Sequence, residues 1–122
     1  MSKKVLVVDD APTVRKYHKS ILMEMGLEAD EAVNGMEALE KVLNDTFSLL
    51  LVDINMPKMD GYQFLMELRR NEEVQHIPVI MITTEADKND EFQAYECGAN
   101  YYLVKPVKPQ ILKPIVKSIL GI

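Results

Sequence analysis

Cysteine is nearly absent. Cys97 is the only one in 122 residues, so no internal disulfide can form, and a reducing cytoplasm is the expected compartment. Long apolar runs are missing too. None approaches the roughly 18 residues of a membrane span, so no membrane insertion is expected. The apolar run after Met1-Ser2-Lys3-Lys4 is about five residues long, too short for a signal peptide. There is no excess of positive charge, since the formal net charge is -5. Direct nucleic-acid binding needs clustered Lys and Arg against phosphates, so no such partner is expected. No His/Cys cluster offers soft metal ligands, and no Gly-rich nucleotide loop occurs. No linker, repeat or low-complexity segment divides the chain. What is present is a composition of 48% hydrophobic and 27% charged residues, which belongs to a soluble globular chain rather than a disordered one. The length fits one compact domain, expected over residues 1–122, with a core that needs no disulfide or metal staple.

Along the chain, short apolar runs alternate with segments of helical period. Lys4 to Asp9 (KVLVVD) predicts a buried strand. Pro12 suits a first helical turn, and a helix follows through Val14, Tyr17, Ile21 and Leu22 until Gly26 closes it. Glu28 to Ala32 (EADEA) is polar and suits an edge strand. Gly35 to Asn44 repeats apolar residues at Met36, Leu39 and Leu43, as a helix would. Ser48 to Asp53 (SLLLVD) is the most continuous apolar strand. A Pro/Gly turn from Met56 to Gly61 leads into a helix through Phe64, Leu65 and Leu68. Val79 to Thr83 (VIMIT) predicts a fourth strand, and Asp87 to Cys97 a helix stopped by Gly98. Tyr101 to Val104 and Pro109 to Leu120 supply the fifth strand and helix. Pro114 lies inside that last helix, where it predicts a kink or a later start. Five β-α units in a row imply a parallel sheet with helices on both faces.

In open parallel sheets of this class, ligands bind at the carboxyl ends of the strands where strand order reverses. The polar second strand fits an edge, which suggests the order 2-1-3-4-5. The strand ends then carry Asp9-Asp10, Asp53, Thr83-Thr84 and Lys105-Pro106. Neighbouring strands lie about 4.8 Å apart, so Asp9, Asp10 and Asp53 share one rim. Carboxylates this close repel unless a cation intervenes. Oxygen-only ligands point to a hard cation, and magnesium often shares its shell with a phosphoryl group. Lys105 adds positive charge and Thr83 a hydroxyl donor. The set suits a phosphoryl group carried on one carboxylate. Asp53, alone at the centre of the sheet, is the best acceptor, with Asp9 and Asp10 better placed as metal ligands.

Four segments, VDDAPTVRK (Val8 to Lys16), LLLVDINMPKMDGYQF (Leu49 to Phe64), IPVIMITTE (Ile77 to Glu85) and CGANYYLVKP (Cys97 to Pro106), stand in the order and spacing of bacterial response-regulator receivers. Over its whole length the chain resembles that family, and within it the single-domain CheY-like subgroup. The resemblance implies a flavodoxin-like (βα)5 fold and a role in two-component signalling, as a switch rather than an enzyme that turns over a substrate. It implies phosphorylation of Asp53 by a histidine kinase, magnesium on Asp9, Asp10, Asp53 and the main-chain carbonyl of Asn55, and phosphoryl contacts from Thr83 and Lys105. It also implies a cis Lys105-Pro106 peptide. Thr83 would then move toward the phosphoryl group and Tyr102 would turn inward from an exposed rotamer. That change would alter a face made by the fourth helix, fifth strand and fifth helix, which a downstream protein reads. Asn55 and Glu85 match the positions that tune phosphate lifetime. Ile54 stands where the subgroup carries Trp.

Plainer readings exist for single residues. Asp9-Asp10 suits a helix N-cap region, Thr83 an ordinary strand end, and Tyr102 an edge-strand side chain packing on the sheet. Asp60-Gly61 reads as a turn and helix start. His18 and His76 are expected at the surface, Cys97 buried in a last helical turn, and Arg15, Lys16 and Lys19 on a solvated face. The competing function is a magnesium-dependent phosphatase or phosphotransferase of the haloacid-dehalogenase type. Its nucleophile lies in a DxD motif on the first strand, whereas this chain has DDAP there and no cap insertion. A relay that passes phosphate to another histidine is a third reading. No output segment follows Ile122, so a complete chain is expected to act as a monomer through protein–protein contact.

Overall fold

The computed structural model describes residues 3–84 and 87–122. The strands are β1 (Lys4–Val8), β2 (Glu28–Ala32), β3 (Leu49–Asp53), β4 (Val79–Thr83) and β5 (Tyr101–Val104). The helices are α1 (Pro12–Glu24), α2 (Gly35–Asn44), α3 (Gly61–Arg70), α4 (Lys88–Glu96) and α5 (Pro109–Leu120). The strands form one parallel sheet in the order β2-β1-β3-β4-β5. Burial explains the order. The apolar strands β3 and β4 are buried throughout, as a strand covered on both faces must be. The polar strand β2 is half-exposed and takes an edge.

Side chains alternate across the strands, so each face of the sheet gets its own core. Val5, Val7, Leu49, Leu51, Ile80 and Ile82 pack with Ile21 and Leu22 of α1 and Leu112, Val116 and Leu120 of α5. Leu6, Val8, Leu50, Val52, Val79 and Met81 pack on the other face with Ala38 and Val42 of α2, Phe64, Leu65 and Leu68 of α3 and Ala94 of α4. Ala94 is the buried residue of α4, so that helix is the most lightly anchored of the five.

Two helix faces differ from the sequence expectation. In α2 the buried positions are Gly35, Ala38 and Val42, while Met36 and Leu43 are exposed. In α1, Tyr17 is exposed and His18 is buried at 3% exposure. His18 sits four residues after Val14 and three before Ile21, so helical position outweighs residue type. The expectation of a surface His18 is therefore wrong, whereas His76 is exposed as expected. Cys97 is half-buried and caps the C-terminus of α4 rather than lying in its core.

Helix starts follow local chemistry. Asn34 caps α2 by accepting from the Glu37 N–H at 2.8 Å. Asp60 and Gln63 form a reciprocal capping box on α3, with bonds of 2.9 and 3.0 Å. The expected turn and helix start at Asp60-Gly61 is thus present.

Pro114 does not delay α5, which begins at Pro109. Its ring nitrogen cannot donate to the Gln110 carbonyl, so α5 carries a missing helical bond on its exposed side. Pro114→Ala is expected to raise stability by about 1–2 kcal/mol, restored helix propensity being partly offset by a freer unfolded chain. A rightward shift of the urea midpoint at unchanged slope checks this.

Candidate functional site

The register builds the site. Val8 pairs with Val52, so Asp9 lies level with Asp53 at the ends of β1 and β3. Asp53 pairs with Ile82, which places Thr83 one step further along β4. Thr83 pairs with Val104, and the Lys105 N–H donates to the Thr83 carbonyl at 2.7 Å. Four strands therefore deliver Asp9, Asp10, Asp53, Thr83 and Lys105 to one rim.

Asp9, Asp10 and Asp53 each bring a carboxylate oxygen within 4.8 Å of the others. Asp9 and Asp53 are buried and Asp10 is exposed. The Lys105 ammonium lies 2.7 Å from Asp9 Oδ2 and 3.3 Å from Asp53 Oδ1. The second Asp9 oxygen accepts from the Ala11 N–H at 2.9 Å. Burial, with the neighbouring Asp9 charge, pushes the Asp53 carboxyl up to about 6, against the pull of Lys105. Burial alone would lower the Lys105 ammonium, but the bond to Asp9 and the Asp53 charge outweigh it and its pKa is raised. Three carboxylates against this ammonium leave the rim over-supplied with negative charge. All the donors are oxygens. This donor set fits a hard divalent cation, which would relieve that repulsion.

Behind the rim, Thr83 is fully buried. Tyr102 lies two residues before Val104, the strand partner of Thr83, so the two side chains share a face of the sheet. Tyr102 is only 9% exposed and belongs to the core cluster on that face, against which Tyr62, Cys97 and Ala99 also pack. It already stands inward here, not in the exposed rotamer that the resemblance implied. Asn55 is exposed two residues beyond Asp53, and Ile54 between them is buried. Glu85 lies outside the described residues. The loop after Asp53 is fixed by its main chain, with Gly61 N–H donating to the Ile54 carbonyl at 2.8 Å and Gly35 N–H to the Met59 carbonyl at 3.1 Å. The Lys105-Pro106 peptide is cis, as the resemblance implied.

Two residues beside the rim escaped the sequence reading. Burial first, with Lys105 adding to it and Asp9 opposing, holds the His18 imidazole down to about 4, so it is neutral at pH 7. Arg15 does not lie on a solvated face. It folds inward, donating to the Asp9 carbonyl at 2.8 Å and to Glu31 at 2.6 Å. Lys19 also joins Glu31, and Lys16 is the exposed member of the expected basic face. The available signal was Glu31 itself, an acid on the edge strand facing α1.

A family model described as the response regulator receiver domain matches residues 5–117. The chain belongs to that family. Receivers are phosphorylation-activated parts of two-component signalling, which implies interaction with a histidine kinase and with downstream targets. This receiver is 42% identical over 120 residues to chemotaxis protein CheY1 of Helicobacter pylori, covering 97% of each chain. It is 38% identical over 117 residues to chemotaxis protein CheY of Pseudomonas aeruginosa, covering 95% of this chain and 94% of that one. Among solved structures, Vibrio cholerae chemotaxis protein CheY4 matches with a TM-score of 0.92 at 32% identity, over 98% of this chain and 100% of that one. A response regulator of Chloroflexus aurantiacus matches with a TM-score of 0.94 at 33% identity over 100% of both. The fold of the receiver is thus the flavodoxin-like one of these relatives. Among the described residues, no helix is long and apolar enough to cross a membrane.

Proposed function

We propose that Asp53 accepts a phosphoryl group from a histidine kinase, with magnesium held by Asp9, Asp10, Asp53 and the main-chain carbonyl of Asn55. The observation that carries this reading is Lys105, whose ammonium bridges Asp9 and Asp53 at the closed side of the acidic rim. An Asp53 oxygen attacks phosphorus, the P–N bond to the kinase histidine breaks, and the imidazole leaves. Lys105 exchanges its Asp53 contact for a phosphoryl oxygen, and the Thr83 hydroxyl donates to another. Bound magnesium supplies charge neutralisation for the phosphoryl oxygens. Asn55 and Glu85 set how fast water removes the phosphate. The test is phosphoryl uptake from acetyl phosphate. Uptake that needs magnesium and stops in EDTA supports the reading, and uptake indifferent to EDTA refutes it.

The domain is taken as residues 1–122, acting as a cytoplasmic monomer. It works as a switch rather than as an enzyme with a small-molecule substrate. Sustained hydrolysis of a chromogenic phosphomonoester, lost in Asp53→Asn, would overturn that. The chemotaxis relatives suggest a chemotaxis-type output. The face of α4, β5 and α5 suits a protein partner because Phe92, Tyr95, Tyr101, Val104 and Ile111 are exposed there. The switch runs from Thr83 to Tyr102 on their shared face. Because Tyr102 starts inward, phosphorylation locks it in place rather than driving a full rotation. Thr83→Ala is expected to retain phosphoryl uptake but to lose most of the affinity change, a coupling typically worth about 1–3 kcal/mol. Partner pull-downs with and without beryllofluoride measure it. An undiminished response would rule out the Thr83 route.

A further inference from the structure

The exposed Asp10 sits on a short turn between β1 and α1. Its position depends on main chain, which is held by the Asp9 N–H donating to the Ala32 carbonyl at 3.1 Å and the Ala11 N–H donating to Asp9 Oδ1 at 2.9 Å. The N-cap residue of α1 is Ala11, which offers no side-chain cap, and the first turn carries no acid. Asp9 lies one residue beyond the last paired position of β1, Val8. Its carbonyl is held by the side chain of Arg15, through Nη1 at 2.8 Å, while the Arg15 N–H makes the first helical bond of α1 to the Ala11 carbonyl at 3.1 Å. The Arg15 side chain thus fixes the main chain immediately before Asp10. The Arg15 side chain is only 11% exposed, and its Nε donates to Glu31 at 2.6 Å. The other Glu31 oxygen takes Lys19 at 2.6 Å, and Lys41 donates to the Glu31 carbonyl. Glu31 is therefore a fixed post rather than a loose surface acid.

We infer that Arg15 is a positioning residue for the magnesium site, bracing the Asp9-Asp10 turn against Glu31 on the edge strand. The inference rests on the magnesium reading above. Groups that orient metal ligands commonly matter to affinity almost as much as the ligands do. A guanidinium suits this place because its planar fork aims separate N–H groups at a carbonyl and a carboxylate in fixed directions, whereas an ammonium offers only a point charge on a flexible stem. Arg15 touches neither metal nor phosphoryl group. Its effect passes through the geometry of Asp9 and Asp10.

Isothermal titration of the intact chain with magnesium chloride tests the brace. Arg15→Met is expected to raise the magnesium Kd about tenfold. Arg15→Lys should keep the Glu31 pair, remain folded and still lose affinity. Glu31→Gln should weaken binding less than Arg15→Met, and the double variant should be no worse than Arg15→Met alone, because Glu31 acts through Arg15. Lys4→Met, which breaks the distant Lys4–Asp45 pair, should leave the Kd unchanged. A merely structural role would lower metal-free urea stability and leave the Kd of the folded protein alone. The inference is overturned if Arg15→Lys binds magnesium as the parent does, or if the losses from Arg15 and Glu31 simply multiply. Should Arg15→Met not fold, Arg15→Lys decides. Failure of the parent chain to bind magnesium would instead refute the proposed function.

Discussion

Asp53→Asn is expected to abolish phosphoryl uptake and, in metal-free buffer, to stabilise the fold at neutral pH by up to about 3 kcal/mol. Both effects have one origin. Asp53 is a buried carboxylate beside Asp9, so its carboxyl is pushed up to about 6 in the fold against an ordinary 3.8. The folded state therefore holds the proton more tightly than the unfolded chain. Below about pH 4 both states are protonated, and the group costs nothing. As pH rises from about 4 to about 6, the unfolded chain ionises while the fold still holds its proton, and stability is lost. Asparagine keeps the shape without the charge. The gain over the parent should thus be full above pH 7, shrink between 6 and 4, and vanish below. Urea titrations of both proteins in EDTA across that range measure it. A gain independent of pH would show that charge at Asp53 is not its source.

Gly61→Ala is expected to cost about 3 kcal/mol, although the change is a single methyl group. A Cβ at Gly61 would lie 2.5 Å from the Asp53 carbonyl oxygen, 2.8 Å from Ile54 Cα and 3.0 Å from Met81 Cε. The first two are backbone atoms of β3 and its exit loop, which cannot turn aside as a side chain end can. The Gly61 N–H is also bonded to the Ile54 carbonyl. The start of α3 must therefore move away from the strand that carries Asp53. Phosphoryl uptake should fall with stability, because Asn55 lies on the loop that would shift. Urea unfolding checks the first effect and uptake from acetyl phosphate the second. A stability loss near zero would mean that α3 is not locked onto β3 as described.

The sheet order was legible because polarity separates EADEA from the apolar strands, and an edge tolerates what the centre does not. Strand and helix bounds agree within a residue or so with the apolar runs and with Pro12, Gly26, Asp60 and Pro109 as punctuation. The acidic rim was legible for the same reason, since strand ends in a parallel sheet share one edge. What was not legible depended on which side of a helix faces inward. Tyr17 and His18 are neighbours, and residue type favours Tyr17 for the core. The helix turns His18 inward and leaves the Tyr17 hydroxyl to donate to the Val107 carbonyl at 2.8 Å. Met36 and Leu43 mislead in the same way, because the close approach of Gly35 to Met59 selects the Ala38 and Val42 side. Arg15 looked solvated because its acceptors, the Asp9 carbonyl and Glu31, come together only in three dimensions. The inward Tyr102 belongs to the core cluster on its face of the sheet, with residues of α2, α3 and α4, which no local pattern announces.

The central claim is that the phosphoryl group resides on Asp53. Hydride reduction converts an acyl phosphate into the corresponding alcohol, leaving a mass change at the residue that carried it. The chain should be treated with acetyl phosphate and magnesium, reduced with borohydride, and mapped by peptide mass spectrometry. The label is expected in the peptide containing Asp53, at that residue, and none is expected when magnesium is withheld. A label on Asp9 or Asp10 with Asp53 unmodified would contradict it.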